Sequence, residues 1–233
     1  TDPFLGGAIS IVDLKTGEAE VLAQRADWEA LDGLVWTPWQ TLLFAEETIT
    51  AQLPDPDVPA AQSGLLYELK FANNDPTKVE EIKVRPKLGS LSHEGIEIDD
   101  EGNVYVIDED RKGAIYKFVP DTYGDLSSGQ LHALRVKNGA KTGEAEWVAL
   151  DMNQVQINAR IAAQAVNATP FCRPEDLERI GEADEPQKLW QIVPFLCLRH
   201  HSATAHEADA AVAVQVLTDK TTCIATALQQ KHQ

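Results

Sequence analysis

Carboxylates crowd one short stretch of this 233-residue sequence, SHEGIEIDDEGNVYVIDEDRKGAIYKF, residues 92 to 118. Glu94 and Glu97 precede a turn carrying Asp99, Asp100 and Glu101, and Asp108, Glu109 and Asp110 follow it. Acids this dense form either a solvated face or a cation site. Hard cations such as Ca2+ take about six to eight oxygens, and carboxylates supply them well. FAEET at 44 to 48 adds Glu46 and Glu47, and FCRPEDLERIG at 171 to 181 adds Glu175. Side chains alternate between strand faces, so one of Glu46 and Glu47, and part of the Asp108, Glu109, Asp110 group, faces a common site while the rest meet solvent. DDEGN at 99 to 103 reads as a β-turn with Gly102 where positive φ is tolerated, which makes Asp99, Asp100 and Glu101 exposed turn residues. Arg111 and Arg173 lie beside acids, where an arginine either closes a salt bridge or, next to a metal cluster, clamps a phosphate bidentately. His93 is an ordinary hydrogen-bonded histidine in the commonest reading, with metal ligation or acid–base chemistry as the alternatives.

These residues need elements to carry them. GAISIVDLKTGEAEVL opens at Gly7, GLLYELKFANNDPTKVEEIKV at Gly64 and GAIYKFVPDTYGDLSSGQLHAL at Gly113. Each runs from Gly through alternating apolar residues to a polar turn and a second strand-like segment, the signature of a hairpin. A second theme alternates with the hairpins. Leu31 through Glu47 align without a gap against His93 through Glu109, so Asp32 falls opposite Glu94 and LLFAEE opposite VYVIDE. Glu175 takes the same place after the third hairpin.

Four strands per unit, recurring with insertions, predict an all-β fold: a β-propeller of about three blades. The rival reading is a β-sandwich or loose α+β domain. Residues 152 to 169 interrupt the β pattern, and their apolar spacing predicts a short helix inserted between blades. The partial propeller spans 1 to 184. Residues 185 to 233, rich in Ala, Thr, His and Gln, form an atypical tail without a blade pattern. In a propeller the innermost strands line a central channel, which would bring Glu94, Glu175 and Asp32 together around a cation. The competing reading makes Glu94 and Glu175 turn residues that cap backbone N–H groups. Trp28, Trp36, Trp39 and Trp147 read as packing aromatics. About three blades leave open strand edges, which remaining blades or a partner must cover.

Composition excludes several classes. The net charge is −17, with 37 Asp and Glu against 20 Lys and Arg, and this field repels nucleic acid. No apolar run reaches the roughly 20 residues of a membrane span. Cys172, Cys197 and Cys223 have neither CxxC spacing nor the number for a disulfide framework. No basic segment followed by an apolar one is visible at the start, so the chain shows no signal peptide and reads as a mature form or a fragment. Motifs for a serine nucleophile, a phosphate loop or a zinc helix are lacking.

Together TPWQTLLFAEE, HEGIEIDDEGNVYVIDEDRKGAIYKFVPD and RPEDLE, in that order across residues 5 to 180, resemble the PhoX-type alkaline phosphatase family. The resemblance implies a six-bladed propeller, exported from the bacterial cytoplasm to the periplasm or medium, that hydrolyses phosphate monoesters with a calcium and iron cluster. It further implies that Glu46, Glu47, Glu94, Asp108, Asp110 and Glu175 hold metal and that Arg111 and Arg173 serve catalysis. Ala45 stands where the family carries a cysteine, and a methyl group cannot ligate iron, whereas oxygen-ligated calcium keeps its donors. A phosphatase-like enzyme leads. A non-catalytic calcium-binding propeller and a calcium-dependent lactonase-type hydrolase are the alternatives.

Overall fold

The computed structural model describes residues 6–140, 142–180, 189–194, 212–218 and 223–229. A hairpin of β1 (Gly7–Val12) and β2 (Ala19–Arg25) leads into a four-stranded antiparallel sheet. This first meander runs β3 (Leu31–Trp36), β4 (Thr41–Glu46), β5 (Leu66–Phe71) and β6 (Val79–Val84), each strand beside the next. A second meander repeats the order with β7 (His93–Ile98), β8 (Val104–Asp108), β9 (Ile115–Thr122) and β10 (Asp125–Val136), extended by β11 (Gly143–Ala149). After helix α1 (Met152–Ala165), β12 (Pro174–Ile180) pairs with β13 (Leu189–Pro194). β14 (Val212–Thr218) pairs with β15 (Cys223–Gln229), which continues the second sheet beyond β11.

Among the described residues the architecture is therefore antiparallel β-sheet with one α-helix, and all three expected hairpins form. The sheets described do not close into a ring. The gapless internal match corresponds to structure, since β3 and β4 recur in the same order as β7 and β8. Its backbone hydrogen bonds repeat too: Glu47 N–H donates to Ala30 O at 2.8 Å, and Glu109 N–H donates to Ser92 O at 2.8 Å. The 184/185 boundary falls in 181–188, outside the described residues.

One core joins the two meanders. Leu43, Ala45 and Leu66 from the first pack with Ile96, Val106 and Tyr116 from the second, and Val155, Ala159 and Ala162 of α1 complete the cluster. The expected helix is thus a seal between sheets. Asp151 caps it by accepting from Asn153 N–H. It breaks at Asn158, whose backbone is extended. The groups freed at the break are satisfied by Ser90, whose N–H donates to Val155 O at 2.8 Å and whose carbonyl accepts from Ala159 N–H at 2.9 Å. Asn158 Oδ1 then accepts from Ile161 N–H and caps the second half.

Trp28 is buried against Phe44 and Tyr67, and Trp147 packs edge-on to Tyr105, as expected of packing aromatics. Trp36 departs from that expectation: it stacks on Phe71 but stays half exposed. Asp99 is a correction. It is buried, and its carboxylate accepts from Glu101 N–H, Asn103 N–H, the Asn103 amide and the Tyr105 hydroxyl. A turn that starts with an aspartate folds that side chain back over its own N–H groups, and here Tyr105 closes it off from water.

Candidate metal centre

Strands β3, β7 and β12 lie side by side, and each carries its acid at an irregularity. Pairing shifts between Asp32 and Leu34 in β3, between His93 and Ile96 in β7, and between Pro174 and Asp176 in β12. Asp32, Glu94 and Glu175 sit at these three shifts. An extra residue interrupts the ladder and re-aims its side chain, so the acid leaves the regular alternation. Close backbone approach does the rest. A Cβ on Gly33 would lie 2.3 Å from the Glu94 carbonyl oxygen, and one on Gly95 would lie 2.5 Å from Leu177 N. Only glycine next to the acid lets the neighbouring strand come this near.

The result is a cluster. Ligand oxygens of Asp32, Glu47 and Glu94 all lie within 4.8 Å of one another. Asp32 is exposed, and the other two are half-buried. Asp32 and Glu94 also line a cavity of about 530 Å³ walled by Leu34, Phe44, Ile96 and Leu177. Glu47 hydrogen-bonds Glu109, and that bond, then burial and the charges of Glu109, Glu94 and Asp32, push its carboxyl up to about 8. For Glu109 burial acts upward, but hydrogen bonds with Glu47, Arg173 and Glu175 outweigh it and hold the group below the usual range. Arg173 Nε donates to Glu109 at 2.6 Å, its Nη2 bonds the same oxygen, and Glu175 lies 3.6 Å away. Arg173 has φ 45°, an unusual left-handed backbone for a side chain of that size.

The remaining expected residues lie elsewhere. Glu46 is buried and accepts from Glu29 N–H at 2.8 Å and Leu65 N–H at 3.0 Å, and burial, despite those bonds, pushes it up to about 7. Asp108 is fully buried in a two-point ion pair with Arg160, both contacts 2.6 Å, and Asp110 lies 3.3 Å from the same guanidinium. Metal or solvent was the partner expected for these acids, and the partners observed are backbone amides and an arginine. Arg111 is exposed. His93 is buried with Nε2 donating to Gly89 O at 3.0 Å, and burial lowers its pKa to about 4, so it is neutral. Of Asp108, Glu109 and Asp110, the resemblance picked out the first and third, whereas Glu109, which aligns with Glu47 in the internal repeat, is the one at the cluster; Arg160 was not singled out.

A profile of the alkaline phosphatase PhoX family matches residues 35–191. This chain belongs to the PhoX family. The solved structure of Pseudomonas fluorescens PhoX in complex with vanadate, a transition state analogue, is similar over 70% of this chain at 22% identity and a TM-score of 0.48. The chain spans 38% of that protein's length. No curated protein matches it.

The donor set of this PhoX-family chain fits a hard cation. Two oxygens bound to one ion at calcium distances lie at most about 5 Å apart, and the three carboxylates meet that limit. It does not fit iron through a thiolate in the described side chains. Ala45 packs its methyl in the core opposite Asp32, and Cys172, the cysteine nearest the cluster in sequence, is engaged in a disulfide.

Proposed function

We propose that this chain carries the metal-binding part of a calcium-dependent phosphatase of the PhoX type, acting on phosphate monoesters. The observation that carries this reading is the convergence of Asp32, Glu47 and Glu94 within ligand distance of one another. Asp32, Glu47 and Glu94 hold the cation, with Glu109 and Glu175 beside them. A bound calcium supplies positive charge opposite the phosphate oxygens. Arg173 has a planar, five-donor head suited to a phosphate, and it is held in reach by Glu109 and Glu175.

The same reading places β3, β7 and β12 as the inner strands of successive propeller blades, with the remaining blades or a partner covering the open edges. A disulfide at Cys172 supports an oxidising compartment, periplasmic or secreted. No helix among the described residues is long and apolar enough to cross a membrane.

Ala45 favours a second reading, a relative that binds calcium without turnover. One preparation separates the two. Protein purified without chelator is analysed for metal content and assayed on a phosphomonoester. Bound calcium with turnover that chelation abolishes supports the phosphatase. Calcium without turnover supports the second reading, and no metal at all sinks both.

A further inference from the structure

We infer that Arg160, on the inserted helix, is a positioning residue that aims Glu109 and Arg173 into the metal centre. This rests on reading the Glu47 and Glu109 cluster as that centre.

Arg160 grips the residues on either side of Glu109: Asp108 through Nε and Nη2, and Asp110 through Nη1. The backbone turns at Glu109, where Asp110 N–H donates to Asp108 O at 2.8 Å, and the side chains on either side of that turn both face the helix. Fixing Asp108 and Asp110 on the helix side therefore sends Glu109 the other way, where it meets Glu47 and Arg173. The same turn holds Arg173 by its backbone, because Asp110 O accepts from Arg173 N–H at 2.7 Å. Both functional side chains thus inherit their placement from one guanidinium. The grip is stiff. Asp108 is fully buried and also accepts from Ser92 N–H, and α1 is anchored on both sides of its break by Ser90. A lysine would keep the charge but lose the two-point fork.

The test compares the whole chain with Arg160→Lys and with Val155→Ala, which removes volume from the same helix without touching the turn. Calcium affinity is measured by titration calorimetry. Amide hydrogen exchange over residues 108–113 is measured on chelated protein, and melting temperature is recorded for each. Arg160→Lys is expected to weaken calcium binding about tenfold or more and to speed exchange in the turn beyond what Val155→Ala does. Val155→Ala should lower the melting temperature with near wild-type calcium affinity. Equal losses of affinity and protection in the two variants would overturn the inference, since Arg160 would then act through stability alone. Unchanged affinity and exchange in Arg160→Lys would overturn it too. Absence of calcium binding in the wild type would sink the metal reading, and the exchange comparison would still decide whether Arg160 sets the turn.

Discussion

The carboxyl of Glu47 hydrogen-bonds the carboxylate of Glu109, and these two residues occupy equivalent places at the ends of β4 and β8. Two strand ends from consecutive meanders thus meet head to head, with Asp32 and Glu94, also equivalent to each other, beside them. Like charges this close are unfavourable, which raises the Glu47 carboxyl in the metal-free protein, and a cation would relieve the same repulsion in the loaded one.

Calcium binding should therefore release a proton. The Glu47 carboxyl is raised from 4.5 to about 8, and calcium takes the ionised form. Affinity should rise about tenfold per pH unit up to pH 8 and level off above it. The sign for stability is opposite in the metal-free protein. A raised carboxyl contributes stability that is full below its unfolded value and lost as pH rises through about 8. Melting temperatures of chelated protein should fall between pH 5 and 9 on this account, and the gap to calcium-loaded protein should widen. Calorimetric titrations giving the same affinity at pH 6 and pH 8 would rule this out.

Glu46 and Glu47 are neighbours with different jobs, and isosteric substitution separates them. Glu46→Gln turns an amide N–H toward the Glu29 or Leu65 N–H that the carboxylate had satisfied. It should cost about 1–3 kcal/mol in urea unfolding and leave calcium affinity intact. Glu47→Gln should do the reverse, with calcium affinity lower by tenfold or more and little change in stability. The opposite pattern would exchange the two roles.

Much of this site was legible in the residues. The gapless match of 31–47 to 93–109 already places Asp32 with Glu94 and Glu47 with Glu109, the four acids that converge. It equally pairs Glu46 with Asp108, the two acids that turn inward. Parity counting within each acidic run could not separate these pairs, because the irregular pairing at Asp32 and Glu94 breaks the two-residue rhythm beside the site. Arg160 was hidden for a different reason. It lies 52 residues from Asp108, in a segment whose apolar spacing announces a helix but says nothing about which strand end its charged face meets. Cys172 likewise shows no spacing that betrays its disulfide.

Asp99 and Asp100 look alike in the sequence and differ in the fold. Asp99 accepts four hydrogen bonds while buried, and Asp100 is exposed. Asp99→Ala removes four hydrogen bonds from a buried turn, those from Glu101 N–H, Asn103 N–H, the Asn103 amide and the Tyr105 hydroxyl, and should destabilise by about 2–4 kcal/mol. Asp100→Ala, at an exposed position, should cost less than Asp99→Ala. Equal stabilities for the two variants in chemical denaturation would return Asp99 to the exposed class.

Gly95 tests whether the closeness of the inner strands makes the site. Its missing Cβ would sit 2.5 Å from Leu177 N and 3.0 Å from the Glu175 carbonyl oxygen, so alanine there must push β12 away from β7. Backbone atoms cannot swing aside as a long side chain can. The expected cost is about 1–3 kcal/mol, in the range of overpacked interiors. Its effect on metal should be larger than its effect on stability suggests, because Glu94 precedes Gly95 and β12 carries Glu175. A ligand set moved by about 1 Å no longer fits one ion at calcium distances. Gly95→Ala should therefore lower calcium affinity by tenfold or more, and addition of excess calcium should recover part of its melting temperature. A variant that folds, melts lower and yet binds calcium as the wild type does would show that the acids find their geometry without the close contact between β7 and β12.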